Sequence, residues 1–206
     1  MKKIKKLFTW PTEKPNVSES NYNWFGEGNA SILHRVISER NPKYILEMGS
    51  WNGSGSTKFI LQHAPDAYLV CIDHWSDDEN DYVQKECGIE EIKKLWYQIE
   101  ILFDTFLVNT WEYQDRLTPF KVKTEIGLPQ LGKLNIPFDL IYIDAHHDYE
   151  SVLHDLEVSY KLWPNATIVG DDYMWAGVKR AAHEFAEKNN LEIVVEDNCF
   201  YYKNKL

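Results

Sequence analysis

The sequence predicts an α/β fold in three layers: an open, mostly parallel sheet of seven strands, helices on both faces, and an antiparallel last strand. Three observations predict it. From Tyr44 onward, short apolar runs alternate with amphipathic helical stretches, the pattern of βα units that feed a parallel sheet. The runs are nearly continuous, as in Phe138-Asp-Leu-Ile-Tyr-Ile-Asp144, which suits strands buried on both faces. The last two runs, about 191–196 and 199–203, are joined by the tight Asp197-Asn198 turn and so must be antiparallel.

Taken in order, residues 1–28 read as an N-terminal arm and 29–206 as a single domain. The arm is polar, with Pro11 and Pro15, yet Trp10, Tyr22, Trp24 and Phe25 give it apolar anchors. It either covers a sheet edge or lids a site, and covering is preferred because buried aromatics mostly pack. A helix at about 29–40 gathers Ile32, Leu33, Val36 and Ile37 on one face and stops at Asn41-Pro42. Strand 44–48, helix 54–64 and strand 67–73 follow, with Pro65-Asp66 as a turn. A polar loop at 75–90 leads into a helix at about 91–108. Next come a strand near 119–124, a short helix near 126–133, strand 138–144 and helix 149–161. Trp163-Pro164-Asn165 stops that helix, and strand 166–170 and helix 176–188 precede the final hairpin.

Composition narrows the function. At 206 residues the chain can bury a full three-layer core. Its 22 basic and 32 acidic residues give a net charge of −10, which removes any general electrostatic case for nucleic acid. Cys71, Cys87 and Cys199 are scattered without a CxxC pair, so neither a disulfide framework nor a thiolate zinc site is expected. The basic start Met1-Lys-Lys-Ile-Lys-Lys6 resembles a signal n-region, but Thr9 and Pro11 cut short the apolar stretch that should follow. No run reaches membrane-spanning length. A cytoplasmic protein without nucleic-acid or membrane partners is expected, with self-association left open.

Chemistry concentrates at the predicted carboxyl ends of the strands, where ligands bind in this architecture. The stretch Tyr44-Ile-Leu-Glu-Met-Gly-Ser-Trp-Asn-Gly-Ser-Gly-Ser-Thr57 runs from a strand through glycines into a helix. Such a turn lets a ligand approach the backbone and aims free N–H groups at it, although an ordinary tight βα turn looks the same. Gly53 is expected to admit the ligand, so Gly53→Val should abolish binding with the fold intact. Asp73 lies 24 residues after Gly49, close to the position from which an acid accepts ribose hydroxyls; a solvent-facing loop aspartate is the alternative. His74 and Trp75, and Thr124 at the third strand's end, are candidate adenine neighbours. Asp144 and the pair Asp171-Asp172 end two later strands. Neighbouring parallel strands are about 4.8 Å apart, so these carboxylates can converge. Left unpaired they would repel one another, and a hard divalent cation, Mg²⁺ or Mn²⁺ rather than zinc, removes that cost. The acids could instead cap the helices that follow them.

Glu47-x-Gly49-x-x-x-Gly53 resembles the first motif of class I S-adenosylmethionine (SAM)-dependent methyltransferases, and the predicted strand order is similar to their Rossmann-like seven-stranded sheet. Ile143-Asp144-x-x-His147-x-Tyr149-Glu150, followed by Gly170-Asp171-Asp172, resembles the metal-dependent O-methyltransferases related to macrocin and rhamnosyl-ester sugar enzymes, methyltransferase family 24. The resemblance implies a cofactor site of Glu47, Gly49, Ser50, Gly53, Ser54, Asp73, His74 and Thr124. It implies Mg²⁺ (or Mn²⁺) on Asp144, Asp171 and Asp172, with His147 as general base. Ala145-His146 departs from the family pattern and leaves His146 as a competing base or extra ligand. The implied activity is methylation of a hydroxyl on a sugar, glycoside or other small molecule with vicinal oxygens. A metal-free N- or C-methyltransferase and a catalytically silent SAM-binding module are the alternatives.

Overall fold

The computed structural model describes residues 3–76 and 100–204. Residues 77–90 of the expected polar loop, Cys87 among them, and residues 91–99 of the expected 91–108 helix lie outside the described residues. Near its start the arm makes one 3-10 turn, Ile4–Lys6, with Ile4 buried. Helix α1 (Glu27–Arg40) ends at Asn41, whose left-handed backbone caps it onto the Ile37 carbonyl. Strand β1 (Tyr44–Met48) and helix α2 (Ser56–His63) follow, then β2 (Tyr68–Asp73). Helix α3 (Leu102–Asn109) is the described part of the long predicted helix. Strand β3 (Leu117–Lys121), α4 (Thr124–Gly132), β4 (Leu140–Ile143), α5 (Tyr149–Leu162), β5 (Thr167–Gly170), α6 (Ala176–Lys188), β6 (Leu191–Glu196) and β7 (Cys199–Asn204) complete the fold.

The seven strands lie in the order β3-β2-β1-β4-β5-β7-β6. All pairings from β3 to β5 are parallel, and β7 runs antiparallel to both β5 and β6. Alternation along the strands divides the core. Leu46, Met48, Val70, Ile72, Ile141 and Ile143 pack on one face with Leu128 of α4, Leu156 of α5 and Phe185 of α6. Ile45, Leu69, Cys71 and Tyr142 face the other way, onto Leu33 of α1, Leu61 of α2 and Phe106 of α3. Each fully buried Leu, Ile or Phe contributes about 1.5–3 kcal/mol, so both layers are needed to hold the sheet.

Three boundaries differ from expectation for physical reasons. Helix α2 starts at Ser56 because Asn52 Oδ1 accepts from both Ser54 N (2.9 Å) and Ser54 Oγ (2.8 Å), which keeps Ser54 in the loop. Strand β3 lies earlier than expected and contains Pro119, tolerated because β3 is the edge strand and pairs only with β2. Thr124 therefore opens α4 instead of ending β3. The arm serves two places. Trp10 Nε1 donates to the Leu117 carbonyl at the sheet edge (3.2 Å), while residues 20–25 rest on the loop after β1. Among the described residues no helix is long and apolar enough to cross a membrane.

Candidate active site

The loop after β1 is built around two carboxylates. Asp73 Oδ2 accepts from Ser50 N and Trp51 N, each at 2.9 Å, and its Oδ1 accepts from Trp75 N at 2.8 Å. These bonds curl the loop over the end of β2 and hold Trp51 and Trp75 in left-handed backbone, φ 48° and 40°. Glu47 is fully buried beneath the loop. It accepts from Ser50 Oγ (2.6 Å), Ser56 Oγ (2.7 Å), Thr57 Oγ1 (2.5 Å) and Cys71 Sγ (3.1 Å). Burial raises its pKa and the hydroxyls partly offset that. Glu47 thus braces the loop from behind, with its oxygens spent inside the protein.

Gly49 has φ 80°, and a Cβ there would lie 1.8 Å from the Asp144 carbonyl oxygen. The cofactor-type loop and the end of β4 therefore touch backbone to backbone. Gly53 requires correction. It has φ 75°, but a Cβ there would meet Phe106 and Thr110 of the α3 region at 2.9 Å. Its small size serves packing against α3, so Gly53→Val would damage the fold before it blocked any ligand. Ser54 faces the arm, accepting from Asn23 Nδ2 at 3.0 Å. His74 Nδ1 pairs with Ser76 Oγ at 2.7 Å, and its ring lies near that of His146, with centroids 6.5 Å apart. Buried Thr124 lies beside Asp155 of α5 and partly offsets the rise that burial gives that carboxyl's pKa.

At the ends of β4 and β5 the ladder continues one residue beyond the strands: Asp144 N donates to Met48 O (2.8 Å) and Asp171 N to Ile143 O (3.0 Å). Asp144, His147 and Asp172 converge there, each offering a ligand atom within 4.8 Å of the others. His147 Nε2 lies 2.6 Å from Asp172 Oδ2, and the imidazole stacks on Trp175 at 5.2 Å and 14°. The imidazole joined to the acids is that of His147; His146 lies against His74 instead. Burial pushes the Asp144 carboxyl well above its ordinary range, and repulsion from Asp171, Asp172, Glu47 and Asp73 adds to the shift. Burial also raises Asp172, but hydrogen bonds from His147, Asn198 and Trp175 outweigh it and leave the net shift downward.

The expected ligand Asp171 stands apart. It is only 8% exposed, and its carboxylate turns inward to the Tyr142 hydroxyl (2.7 Å) and the Asn29 amide. Sequence reading missed Asn29, Tyr142, Ser56, Thr57 and Trp175. Tyr142 is the one polar-tipped residue within an otherwise apolar strand, which is a usable signal; Asn29 lies in another element and carries none.

A family model described as a methyltransferase domain matches residues 46–173. No curated protein matches the chain in sequence. Among solved structures, the O-methyltransferase TomG from Streptomyces achromogenes, involved in tomaymycin synthesis and in complex with SAM, is 17% identical with a TM-score of 0.63, covering 89% of this chain and 82% of that one. An O-methyltransferase from Bacillus cereus in complex with SAH is also 17% identical, with a TM-score of 0.60 over 88% of this chain and 83% of that one. The SAH-bound methyltransferase PaMTH1 from Podospora anserina is 18% identical, with a TM-score of 0.53 over 86% and 78%. At these identities the likeness is one of fold.

Proposed function

The chain belongs to the methyltransferase-domain family and is a class I SAM-dependent methyltransferase, and from that premise we propose that it methylates a hydroxyl oxygen of a small molecule with the help of a divalent cation. One observation carries this reading: Asp144, His147 and Asp172 converge within 4.8 Å, and the Asp144 backbone abuts Gly49 of the cofactor-type loop. Donor and acceptor sites are thereby neighbours.

The residues fit a cation. Several carboxylates crowd one strand-end region, and their repulsion adds to the effect of burial in raising Asp144. Asp144 and Asp172 would hold it, a two-carboxylate arrangement suited to Mg²⁺ or Mn²⁺. When bound, the cation would supply Lewis acidity and open positions for two adjacent acceptor oxygens, and SAM an electrophilic methyl group. His147 Nε2 bonds to Asp172, which orients the ring and stabilises its charged form, so the hydroxyl proton is taken at Nδ1. The ring is also held flat by Trp175. The loop after Gly49, whose Ser50 and Trp51 N–H groups are taken up by the Asp73 carboxylate, lines the cofactor side. The acceptor class is a vicinal diol on a sugar or glycoside, whose ring can lie on the exposed faces of Trp24 or Trp175. The unpaired thiols of Cys71 and Cys199 suit a reducing, cytoplasmic setting.

A second reading has one observation in its favour. The His147–Asp172 pair at 2.6 Å is a base dyad that works without metal. Turnover with SAM and a panel of matched diol glycosides, deoxy glycosides and a catechol separates the two. The expected result is loss of activity in chelator, recovery with Mg²⁺, and preference for diols over deoxy acceptors. His147→Ala should cost about 10²–10⁴ in rate while retaining Mn²⁺. Full activity in excess chelator leaves only the metal-free dyad. SAM binding without any turnover identifies a silent module.

A further inference from the structure

We propose that Trp75 is a positioning residue for the cofactor: its indole N–H fixes the peptide between Trp51 and Asn52 and thereby aims the Asn52 amide at bound SAM. The proposal rests on the SAM-dependent assignment alone, not on the metal reading. Every other amide from Gly49 to Ser54 is engaged inside the protein. Gly49 N donates to Ile72 O (2.9 Å), Ser50 N and Trp51 N to Asp73 Oδ2 (each 2.9 Å), Gly53 N to Ser50 O (2.8 Å) and Ser54 N to Asn52 Oδ1 (2.9 Å). The Asn52 N–H is the one amide of this stretch without an acceptor among the described residues. Asn52 is only 1% exposed, and a buried amide left in that state calls for a partner from outside the chain.

Two physical arguments give Trp75 this role. A peptide group is one rigid plane, so holding the Trp51 carbonyl also sets the direction of the Asn52 N–H. Trp75 Nε1 donates to that carbonyl at 2.6 Å. Trp51 has φ 48°, a backbone region that side-chain-bearing residues seldom occupy unless their surroundings enforce it. Asp73 grips its N–H from one side and Trp75 its carbonyl from the other. The indole is itself fixed. It is buried against Phe103 and Phe106 of α3, with ring centroids 4.9 and 4.7 Å away, and the Trp75 backbone N–H donates to Asp73 Oδ1 at 2.8 Å. Phe106 is also the side chain that Gly53 abuts, so α3 backs the turn at two points.

SAM binding to the whole chain, without metal or acceptor and followed by calorimetry, tests the proposal. Trp75→Phe keeps an aromatic ring against α3 and removes the N–H. It should weaken SAM by about 2–10-fold, the net worth of one hydrogen bond, and speed amide exchange across residues 50–53 while β1 stays protected. Phe103→Leu loosens the seat of the indole but keeps its N–H. It should lower the urea midpoint and leave SAM affinity unchanged. Because coupling between two sites is reciprocal, SAM should in turn slow exchange of the Trp75 indole N–H in the wild-type chain, read by nuclear magnetic resonance. Unchanged SAM affinity in Trp75→Phe overturns the proposal. So does an equal loss in Phe103→Leu, which would make the effect one of packing. An indole N–H that exchanges equally fast with and without SAM overturns it from the wild type alone, even where Trp75→Phe does not fold. A wild-type chain that binds no SAM overturns the SAM-dependent assignment itself, and the proposal with it.

Discussion

Glu47 carries a carboxyl group with four donors and no exposure. Burial raises its folded pKa above the ordinary 4.5, partly offset by Ser50, Thr57, Ser56 and Cys71. A raised acid holds its proton more tightly folded than unfolded. The stability linked to that proton is fully present below pH 4.5 and is lost as pH rises through the folded value. Glu47→Gln should abolish this slope, read as urea-unfolding free energies of wild type and variant between pH ~4 and ~7. Parallel pH profiles in the two proteins would show that Glu47 titrates normally. Its place in the glycine motif is legible in the sequence. Its role beneath the loop is not, because register sets Glu47 beside Cys71 and Tyr142, which lie far away along the chain. Gly53 teaches the same lesson: its φ of 75° is a turn property, but what it faces is a distant helix.

At the scale of elements, the arm joins two functional loops. Asn109 at the end of α3 donates to Ser20 O (2.8 Å) and Asn52 O (2.7 Å), and accepts from Ser20 N (3.1 Å). Asn52 Nδ2 in turn donates to Tyr22 O at 2.7 Å. A short ladder of amides thus clasps residues 20–25 onto the loop after β1, and a few residues later Asn29 reaches Asp171. Asn109→Ala removes two arm bonds worth about 1 kcal/mol each. Amide hydrogen exchange across residues 18–25 should accelerate roughly tenfold or more. No change there would mean that the remaining bonds from Asn52 and Asn23 and the contact of Trp24 with Trp51 suffice to hold the arm. Asparagines in a polar stretch look like loop residues in sequence, and only the fold gives each a partner.

For the whole molecule, strand order decides where chemistry happens. Connections leave β1 toward β2 and β3 on one side and return to β4 and β5 on the other, so the sheet reverses between β1 and β4. Such a reversal opens a crevice at the strands' carboxyl ends. Gly49 and Asp144 meet there with no space for a side chain. Gly49→Ala would place its Cβ 1.8 Å from the Asp144 carbonyl at a φ of 80°. It should cost about 3 kcal/mol or more, near the limit of what single substitutions do. The measurement is the urea midpoint, with SAM and Mn²⁺ affinities of any folded fraction. A variant of normal stability would show that β1 and β4 are not locked at this point.

The sequence by itself determined the layers, the parallel sheet with its antiparallel last strand, and the strand ends that carry acids. Those follow from local periodicity and from short apolar runs that can be satisfied only by burial on two faces. Tertiary structure alone decided which of Asp171 and Asp172 faces the site, which glycine the loop needs for close approach, and where the arm rests. Two adjacent aspartates are equivalent in a one-dimensional pattern. They become different only when α1 and Tyr142 bury one carboxylate and a left-handed turn hands the other to His147.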